Sequence, residues 1–242
     1  MSTTNNLNGL FITGTDTGVG KTAVAGAIAT YLRGQGGSVG VMKPVETGCR
    51  EGSKGLVPAD AEFLRRVSGT DDVTGAVCPY RFAEPLAPWI AAKRAGRRIN
   101  TRLIVKICRA IASGHDTTIV EGAGGLMVPL DGKYLFLDLA AELGFPVVIV
   151  GRAGLGTINH TLLTVKAARE RNIEISGIIL NHDRRGQGGA AESTNPEAIR
   201  ELSGVARVFS MQYMPGIKRS AKALDDAGKD LARQGFFGLT KK

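Results

Sequence analysis

A glycine-rich segment near the start of the chain, residues 14–22, constrains the fold more than any other feature. It reads Gly-Thr-Asp-Thr-Gly-Val-Gly-Lys-Thr and directly follows a short apolar run at residues 10–12. Spaced glycines let backbone N–H groups surround a phosphate, the lysine adds positive charge, and the threonine hydroxyl can reach Mg²⁺. In the common pattern GxxxxGK[ST] four residues separate the first glycine from the Gly-Lys pair, whereas here five residues separate Gly14 from Gly20. The segment predicts a nucleotide-phosphate site.

The residues on either side of this loop support that interpretation. The run at 10–12 suits a buried strand, and the small apolar residues at 23–32 favour a helix packed on a sheet. A Gly-Lys-Thr triplet could also arise by chance in a chain with 33 glycines among 242 residues. Strand, loop and helix in succession are what a phosphate loop requires, so we expect ATP to bind here.

Composition is that of an ordinary globular protein, with 43% hydrophobic and 22% charged residues. No apolar run approaches the roughly 18 residues of a membrane helix, and residues 1–6 lack the features of a signal peptide. We therefore expect a cytoplasmic protein without a membrane partner. The three cysteines have neither CxxC spacing nor a nearby histidine group, which favours reduced thiols over disulfides or zinc.

The formal net charge of +9 raises the possibility of a nucleic-acid partner. The basic residues are dispersed, however, with modest clusters only at 93–102 and 184–185, and aromatic residues make up 5% of the chain. Proteins that bind single-stranded nucleic acid commonly stack bases on aromatic side chains. We expect a solvated basic face and sites for small anions, and no nucleic-acid partner.

Apolar runs alternate with helical segments along the chain, which predicts an α/β fold. Strands are predicted at 10–12, 38–42, 117–121, 146–150, 175–180 and 205–209, whereas the proline-rich segment 78–89 is expected to be irregular. A flexible segment is expected at 184–194, followed by a helix at 196–202. This pattern predicts a mostly parallel sheet with helices on both faces, similar to phosphate-loop NTPases. We expect one domain over 1–242, with 1–8 as a flexible tail.

Polar side chains follow several of the predicted strands. Because ligands of open α/β sheets bind at the carboxyl ends of strands, Lys43 can face the phosphate loop, although it could equally be an ordinary surface lysine. Glu121 ends an apolar strand beside glycines, which favours a role in holding Mg²⁺. Asn181 could contact a base or cap a turn.

Two helix starts also have two interpretations each. Asp60 lies near the first turn of a predicted helix, where by itself it is a helix cap or dipole partner rather than a metal ligand. The glycine-rich turn at 151–160 opens another helix whose N-terminus could bind a carboxylate, or it could be only a tight turn.

Five sequence blocks occur together and in a fixed order. They are Thr-Gly-Thr-Asp-Thr-x-Val-Gly-Lys-Thr at 13–22, Lys-Pro-Val at 43–45, Pro-Tyr-x-Phe-Ala-Glu-Pro at 79–85, Val-Glu-Gly-Ala-Gly-Gly at 120–125 and Leu-Gly-x-Ile-Asn-His at 155–160. The chain resembles the dethiobiotin synthetase family over nearly its whole length. The extra residue in the phosphate loop makes the first block more specific than a general phosphate loop.

This resemblance implies an ATP-dependent reaction of biotin synthesis. In the family, 7,8-diaminononanoate takes up carbon dioxide as a carbamate, ATP phosphorylates it, and the second amine closes a cyclic urea with release of ADP and phosphate. By similarity, Lys21 and Lys43 would be catalytic, and Thr22, Asp60 and Glu121 would hold Mg²⁺. Phosphoryl transfer depends mainly on positioning and charge stabilisation, which these groups can supply.

The resemblance also implies two binding sets and a homodimer whose active site lies at the subunit interface. ATP would be bound by Gly14, Thr15, Asp16, Thr17, Gly18, Val19, Gly20, Lys21, Thr22, Asn181 and Pro215. The diamine would be bound by Thr17, Lys43, Thr47, Gly122, Leu155, Gly156 and Asn159, the turn at 155–160 being reached from the partner subunit.

Three positions depart from the family pattern. Gly18 stands where some members carry a glutamate, so any role of that side chain in orienting ATP is absent. Trp89 stands where a histidine is frequent, which could alter the wall near the substrate. Residues 211–215 match the adenine-side loop only loosely, and this departure bears on nucleotide selectivity.

Two other functions are compatible with a phosphate loop. Related amide ligases of cobalamin synthesis carry a glutaminase region with a Cys/His pair, for which this chain has no motif. An ATPase switch of the ParA or MinD kind, acting on DNA or membrane, usually has an additional early lysine where this chain has Thr15 and Asp16. A membrane-bound switch would also need a longer amphipathic end than residues 236–242. This switch is the alternative hypothesis.

Overall fold

A six-stranded parallel sheet forms the centre of the computed structural model, which describes residues 8–53, 55–182 and 189–238. Within these ranges the strands are β1 Gly9–Gly14, β2 Val39–Met42, β3 Val45–Thr47, β4 Arg50–Gly52, β5 Gly55–Val57, β6 Tyr80–Phe82, β7 Thr117–Glu121, β8 Pro129–Asp131, β9 Tyr134–Leu135, β10 Val147–Arg152, β11 Ile175–Asn181 and β12 Val208–Met211. The helices are α1 Lys21–Gly34, α2 Ala59–Ser68, α3 Thr74–Val77, α4 Pro88–Arg94, α5 Thr101–Ser113, α6 Phe136–Leu143, α7 Thr157–Glu170, α8 Ala190–Ser203 and α9 Ala221–Arg233, with a 3₁₀ turn at Ile217–Arg219.

The order of the strands places β1 near the middle of the sheet. The order is β12-β11-β10-β1-β7-β2, and each neighbouring pair is parallel. The chain moves from β1 to one side for β2 and β7, and to the other side for β10, β11 and β12. Ligands bind at such a reversal, outside the carboxyl ends of the strands. The phosphate loop therefore follows the strand at which the topology reverses.

Apolar side chains cover both faces of this sheet. Successive residues of a strand point to opposite faces, so Phe11 belongs to one core cluster and Ile12 to the other. Helices α1, α2 and α9 contribute to the cluster around Ile12, and α5, α6, α7 and α8 contribute to the cluster around Phe11. This two-faced burial explains the continuous apolar runs in the sequence. The predicted α/β fold, a mostly parallel sheet with helices on both faces, is confirmed.

Three short pairings lie outside the main sheet. Strands β3 and β6 are parallel, whereas β4 with β5 and β8 with β9 are antiparallel. The expectation of an irregular segment at 78–89 is wrong for residues 80–82, which form β6, and for residues 88–89, which begin α4. Pro79 and Pro85 flank this strand, so neither proline removes a hydrogen bond from its pairing with β3. The prolines therefore delimit the strand.

Two predicted boundaries near the end of the chain are corrected. Helix α8 begins at Ala190, not at Pro196, because Thr194 Oγ1 donates to the Ala190 carbonyl and holds the turn before the proline. Strand β12 covers Val208–Met211 and not 205–209. Val205 is buried, but its amide donates to Ser203 Oγ, so this apolar residue fills the core from a loop.

Some expectations lie partly outside the described residues. Of the tail expected at 1–8, only Asn8 is described, and its carbonyl accepts a hydrogen bond from the Thr118 amide at 3.0 Å. Residues 184–188 of the expected flexible segment are also outside the described residues, and the expectation is wrong for residues 190–194, which belong to α8. Cys49, Cys78 and Cys108 are free and buried, as expected for reduced thiols. Among the described helices, none has the length and apolar character needed to cross a bilayer.

Adjacent residues on α5 provide a test of how the core stabilises this fold. Ile104 is fully buried, whereas the side chain of Leu103 is among the exposed apolar residues. We expect Ile104→Ala to lower the free energy of unfolding by about 2–5 kcal/mol, because it removes contacts and leaves a cavity. Leu103→Ala should cost less than about 1 kcal/mol. Urea unfolding measures both, and equal losses would contradict the assigned burial.

Candidate active site

The phosphate loop is fixed at its start by the strands on either side of β1. The Gly14 amide donates to the Gly124 carbonyl at 3.2 Å, and the Thr15 amide donates to the Val150 carbonyl at 2.9 Å. A Cβ on Gly14 would lie 2.7 Å from the Asp16 carbonyl oxygen and 2.8 Å from Lys21 Nζ. Glycine is therefore required at the outer position of this longer loop, because any side chain would fill the cradle.

Lys21 follows the loop as the first residue of α1 and reaches back into it. Its Nζ donates to the Asp16 carbonyl oxygen at 3.0 Å, and the residue is buried. Burial lowers the pKa of Lys21 to about 8, an effect that the negative charge of Glu121 partly opposes. The ammonium group thus stands among loop atoms at a helix N-terminus, where a phosphate anion would be stabilised.

Four residues from separate elements form what we call the lysine–carboxylate cluster: Thr22, Lys43, Asp60 and Glu121. Lys43 Nζ lies 2.7 Å from Glu121 Oε1 and 3.2 Å from Asp60 Oδ2. Thr22 Oγ1 donates to Glu121 Oε1 at 2.8 Å. These contacts arise because β1, β7 and β2 are neighbours whose carboxyl ends meet at one edge of the sheet. The structure thus brings Lys43 together with Thr22, Asp60 and Glu121, the three residues expected to hold the metal.

Lys43 is held in its charged form. Burial alone would lower its pKa, but the carboxylates of Glu121 and Asp60 outweigh burial and raise the pKa above its ordinary value. The side chain is only 7% exposed. Lys43 is therefore a fixed positive charge and not a proton acceptor at neutral pH.

Asp60 points into the cluster and does not cap its own helix. The carboxylate of Glu46 accepts hydrogen bonds from the amides of Asp60 and Ala61, each at 3.0 Å, and so satisfies the first turn of α2. Burial raises the pKa of Asp60, but Lys43 and Lys218 outweigh that effect and lower it to about 2. Lys218 Nζ lies 2.8 Å from Asp60 Oδ1. Asp60 is thus an ionised group within the site.

The oxygen atoms of the cluster fit a magnesium ion. Thr22, Asp60 and Glu121 offer the hard oxygen ligands that Mg²⁺ prefers. Glu121 Oε2 is buried and has no hydrogen-bond partner among the described residues, which leaves it available to a ligand. In the described ranges no group of three or more His, Cys, Asp and Glu side chains gathers as a metal site. Mg²⁺ is commonly bound by one or two carboxylates together with substrate phosphates and water, and two carboxylates with one hydroxyl fit that ligand set.

Two strand-end residues hold the phosphate loop from the side of β10 and β11. Asn181 Nδ2 donates to the Val19 carbonyl at 3.0 Å. Arg152 Nη1 lies 3.3 Å from Asp16 Oδ2, and its Nη2 donates to the Thr17 carbonyl at 3.1 Å. Asn181 was expected near ATP, whereas no role was expected for Arg152. Arg152 ends β10, and ligands of open α/β sheets bind at the carboxyl ends of strands. The same reasoning that selected Lys43 could therefore have selected Arg152.

The remaining expected residues lie outside the lysine–carboxylate cluster. Thr47 ends β3, and the Gly122 amide, just after β7, donates to the Ile12 carbonyl at 2.9 Å. Three expected diamine contacts lie at the exposed start of α7, and Pro215 lies between β12 and the 3₁₀ turn. The three α7 residues are Leu155, Gly156 and Asn159. Within the described residues, none of these six forms a hydrogen bond with the lysine–carboxylate cluster.

The loop, the two lysines and the carboxylates of Asp60 and Glu121 define a phosphate-loop nucleotide-binding protein. A family model described as "AAA domain" matches residues 8–221, so the chain belongs to that family. The chain is 45% identical over 219 residues to the ATP-dependent dethiobiotin synthetase BioD of Anaeromyxobacter dehalogenans (strain 2CP-C), covering 90% of this chain and 96% of that protein. It is 38% identical over 221 residues to the protein of the same name from Bacillus cereus (strain ATCC 14579), covering 91% and 90%. Within the phosphate-loop class, the chain belongs to the ATP-dependent dethiobiotin synthetase family.

A solved structure is also similar in fold. The chain matches the structure of pNOB8 ParA bound to nonspecific DNA with a TM-score of 0.56 and 12% sequence identity, covering 94% of this chain and 98% of that one. At this identity the similarity shows the fold alone.

Gly20 provides a test of the loop geometry. It has φ 101° at the start of α1, and a Cβ there would overlap the Asn181 amide group. We expect Gly20→Ala to weaken ADP binding by about tenfold or more, because strain and overlap displace the loop. Isothermal titration calorimetry measures the affinity.

Gly36→Ala is the matched control for this substitution. Gly36 has φ 87°, but nothing lies within 4 Å of its Cβ position. Gly36→Ala should lower the free energy of unfolding by about 1 kcal/mol and leave the affinity for ADP unchanged. Equal ADP affinities in the two variants would contradict the assigned role of Gly20.

Proposed function

We propose that this chain catalyses the ATP-dependent carboxylation and ring closure of 7,8-diaminononanoate with carbon dioxide, giving dethiobiotin, ADP and phosphate. The reaction passes through a carbamate and a carbamic–phosphoric anhydride. Membership of the dethiobiotin synthetase family supports the reaction. The observation that carries the assignment in the structure is Lys43, a buried ammonium group held 2.7 Å from Glu121 beside the phosphate loop.

The arrangement of charges suits this chemistry. A carbamate and the terminal phosphate of ATP are both anions, so bringing them together requires fixed positive charge. Lys21 would stabilise the transferring phosphoryl group, and Lys43 would stabilise the carbamate and the charge that develops on it. Neither lysine needs to move a proton for this role, because positioning and electrostatics supply most of the rate enhancement in phosphoryl transfer.

Thr22, Asp60 and Glu121 would hold Mg²⁺ in this reaction. When bound, the ion would neutralise charge on the phosphate oxygens of ATP. The unpartnered Glu121 Oε2 supports this assignment, because a buried carboxylate oxygen without a partner is otherwise costly. The metal would thus stand beside the fixed charge of Lys43.

We propose separate sets of residues that bind ATP and the diamine. ATP would lie along the phosphate loop from Gly14 to Thr22, with its base beside Asn181 and Pro215. The diamine would contact Thr17, Lys43, Thr47 and Gly122. Its carboxylate would be bound by residues of the partner subunit, namely Leu155, Gly156 and Asn159.

A homodimer is supported by an exposed apolar surface next to the phosphate loop. Met127, Leu155 and Leu163 are 62%, 96% and 58% exposed. A groove of about 210 Å³ runs between the phosphate loop and α7, and its lining includes Thr15, Met127 and Leu163. Exposed apolar groups that adjoin a site mark a protein interface. We propose that a second copy of the chain covers this surface.

The proposal also includes the domain organisation, location and partners of the enzyme. Residues 1–242 would form a single ATP-dependent ligase domain that works in the cytoplasm on small molecules, without nucleic-acid or membrane partners. The alternative, an ATPase switch of the ParA or MinD kind, has only the similarity of fold in its favour.

Lys43→Met tests the catalytic assignment. We expect the rate of diamine-dependent phosphate release to fall by about a hundredfold or more, because a preorganised charge beside the reacting groups is lost. The assay supplies ATP, Mg²⁺, bicarbonate and the diamine to the purified protein. Circular dichroism and a thermal melt establish that the variant is folded.

Lys106→Met is the matched control, because Lys106 is an exposed lysine on α5. It should keep the wild-type rate. A near-normal rate in folded Lys43→Met would refute the role of Lys43. Phosphate release that ignores the diamine but rises with DNA or lipid vesicles would instead favour the switch.

Met127→Asp tests the dimer. Met127 and Leu202 are both 62% exposed, but only Met127 adjoins the phosphate loop. We expect Met127→Asp to sediment as a monomer and to lose diamine-dependent turnover, because a buried charge without a partner destabilises an interface. Leu202→Asp should remain dimeric and active. Two dimeric, active variants would rule out this surface as the interface.

A further inference from the structure

Each carboxylate oxygen of Asp60 forms an ion pair with a different lysine. Lys43 Nζ lies 3.2 Å from Oδ2, and Lys218 Nζ lies 2.8 Å from Oδ1. The two lysines differ in exposure, since the side chain of Lys43 is 7% exposed and that of Lys218 is 47% exposed. One cation is therefore a buried part of the cluster, and the other reaches Asp60 from the solvent side.

The protein places Lys218 by several contacts. It lies in the 3₁₀ turn, next to Ile217, which packs against the core cluster around Ile12. Arg66 Nη2 donates to the Lys218 carbonyl at 3.3 Å, and Lys218 Nζ lies 6.0 Å from the centre of the Phe63 ring. The backbone and the ammonium group of Lys218 are thus both held against α2.

The ion pairs of the two lysines show which one can leave. Lys43 Nζ contacts the carboxylates of both Asp60 and Glu121, whereas Lys218 Nζ contacts Asp60 alone. A divalent cation at Asp60 would repel both ammonium groups. Moving Lys43 would take a buried ammonium group away from two carboxylates at once, Glu121 and Asp60, which is strongly unfavourable. Moving Lys218 breaks a partly exposed ion pair, which is worth little in water.

We propose that Lys218 is a positioning residue that occupies Asp60 until a divalent cation replaces it, and that it thereby sets the affinity of the site for Mg²⁺. This inference rests on the proposed role of Asp60 as a metal ligand. The ammonium group keeps the carboxylate oriented toward the cluster and then moves into solvent. Because Lys218 follows Pro215 closely in the chain, the exchange also links the metal position to the segment proposed to lie beside the base.

The test measures Mg²⁺ affinity and not turnover. Mg²⁺ is titrated calorimetrically into the full-length chain, with the protein in excess over ADP. We expect Lys218→Met to tighten Mg²⁺ binding roughly two- to fivefold, the range that corresponds to a partly exposed ion pair. Lys218→Arg keeps the cation and should bind Mg²⁺ as the wild type does.

Arg219→Met is the matched control, because it removes the same charge from the adjacent, exposed residue. Its Mg²⁺ affinity should equal that of the wild type. Unchanged or weaker Mg²⁺ binding in Lys218→Met would overturn the exchange. Equal tightening in Arg219→Met would overturn it too, since net charge alone would then explain the effect.

Asp60→Asn separates this inference from the proposed metal site. A loss of Mg²⁺ affinity in Asp60→Asn supports Asp60 as a ligand, and the Lys218 variants then decide the exchange alone. Unchanged Mg²⁺ affinity in Asp60→Asn would refute the metal role of Asp60 and the exchange with it, while leaving the catalytic role of Lys43 to the turnover assay.

Discussion

The buried ion pair between Lys43 and Glu121 is the constraint on which the rest of the site depends. Each charge is almost fully removed from water, so each needs the other. Glu121 ends β7 and Lys43 follows β2, the strand beside it, while Thr22 binds the same carboxylate oxygen from α1. One oxygen atom therefore joins two strand ends and the phosphate-loop helix, and the parallel register of the sheet makes that meeting possible.

The overall fold and the position of Glu121 at a strand end could be predicted from local sequence, whereas the roles of Lys43 and Asp60 were expected only from the family resemblance. Apolar runs are strands because both faces of the sheet are buried, and a polar residue that ends such a run must lie at the ligand-binding edge. Asp60 was ambiguous from sequence, because its role depends on Glu46, which lies 14 positions away and takes over the helix cap. Lys218 and Asp60 are 158 positions apart, and no local pattern links them. Pro196 was misleading because proline favours a helix start, yet side-chain hydrogen bonds hold an earlier turn.

The similarity to pNOB8 ParA shows how little the fold alone says about the reaction. The two chains share a fold at 12% sequence identity. What separates an enzyme from a switch is the set of groups at the strand ends, since function depends on sites placed on folds. In this chain those groups include the buried ammonium group of Lys43, which suits the proposed reaction between two anions.

The hydrogen bonds at the start of the phosphate loop have a consequence for binding energetics. The amides of Gly14 and Thr15 are attached to the neighbouring strand ends, and Asn181 and Arg152 hold later loop residues. The loop thus keeps its shape through contacts within the protein. A nucleotide does not have to order the backbone that receives it, and ordering costs commonly subtract from affinity. Preorganisation of this kind leaves more of the interaction energy for holding the reacting groups in line.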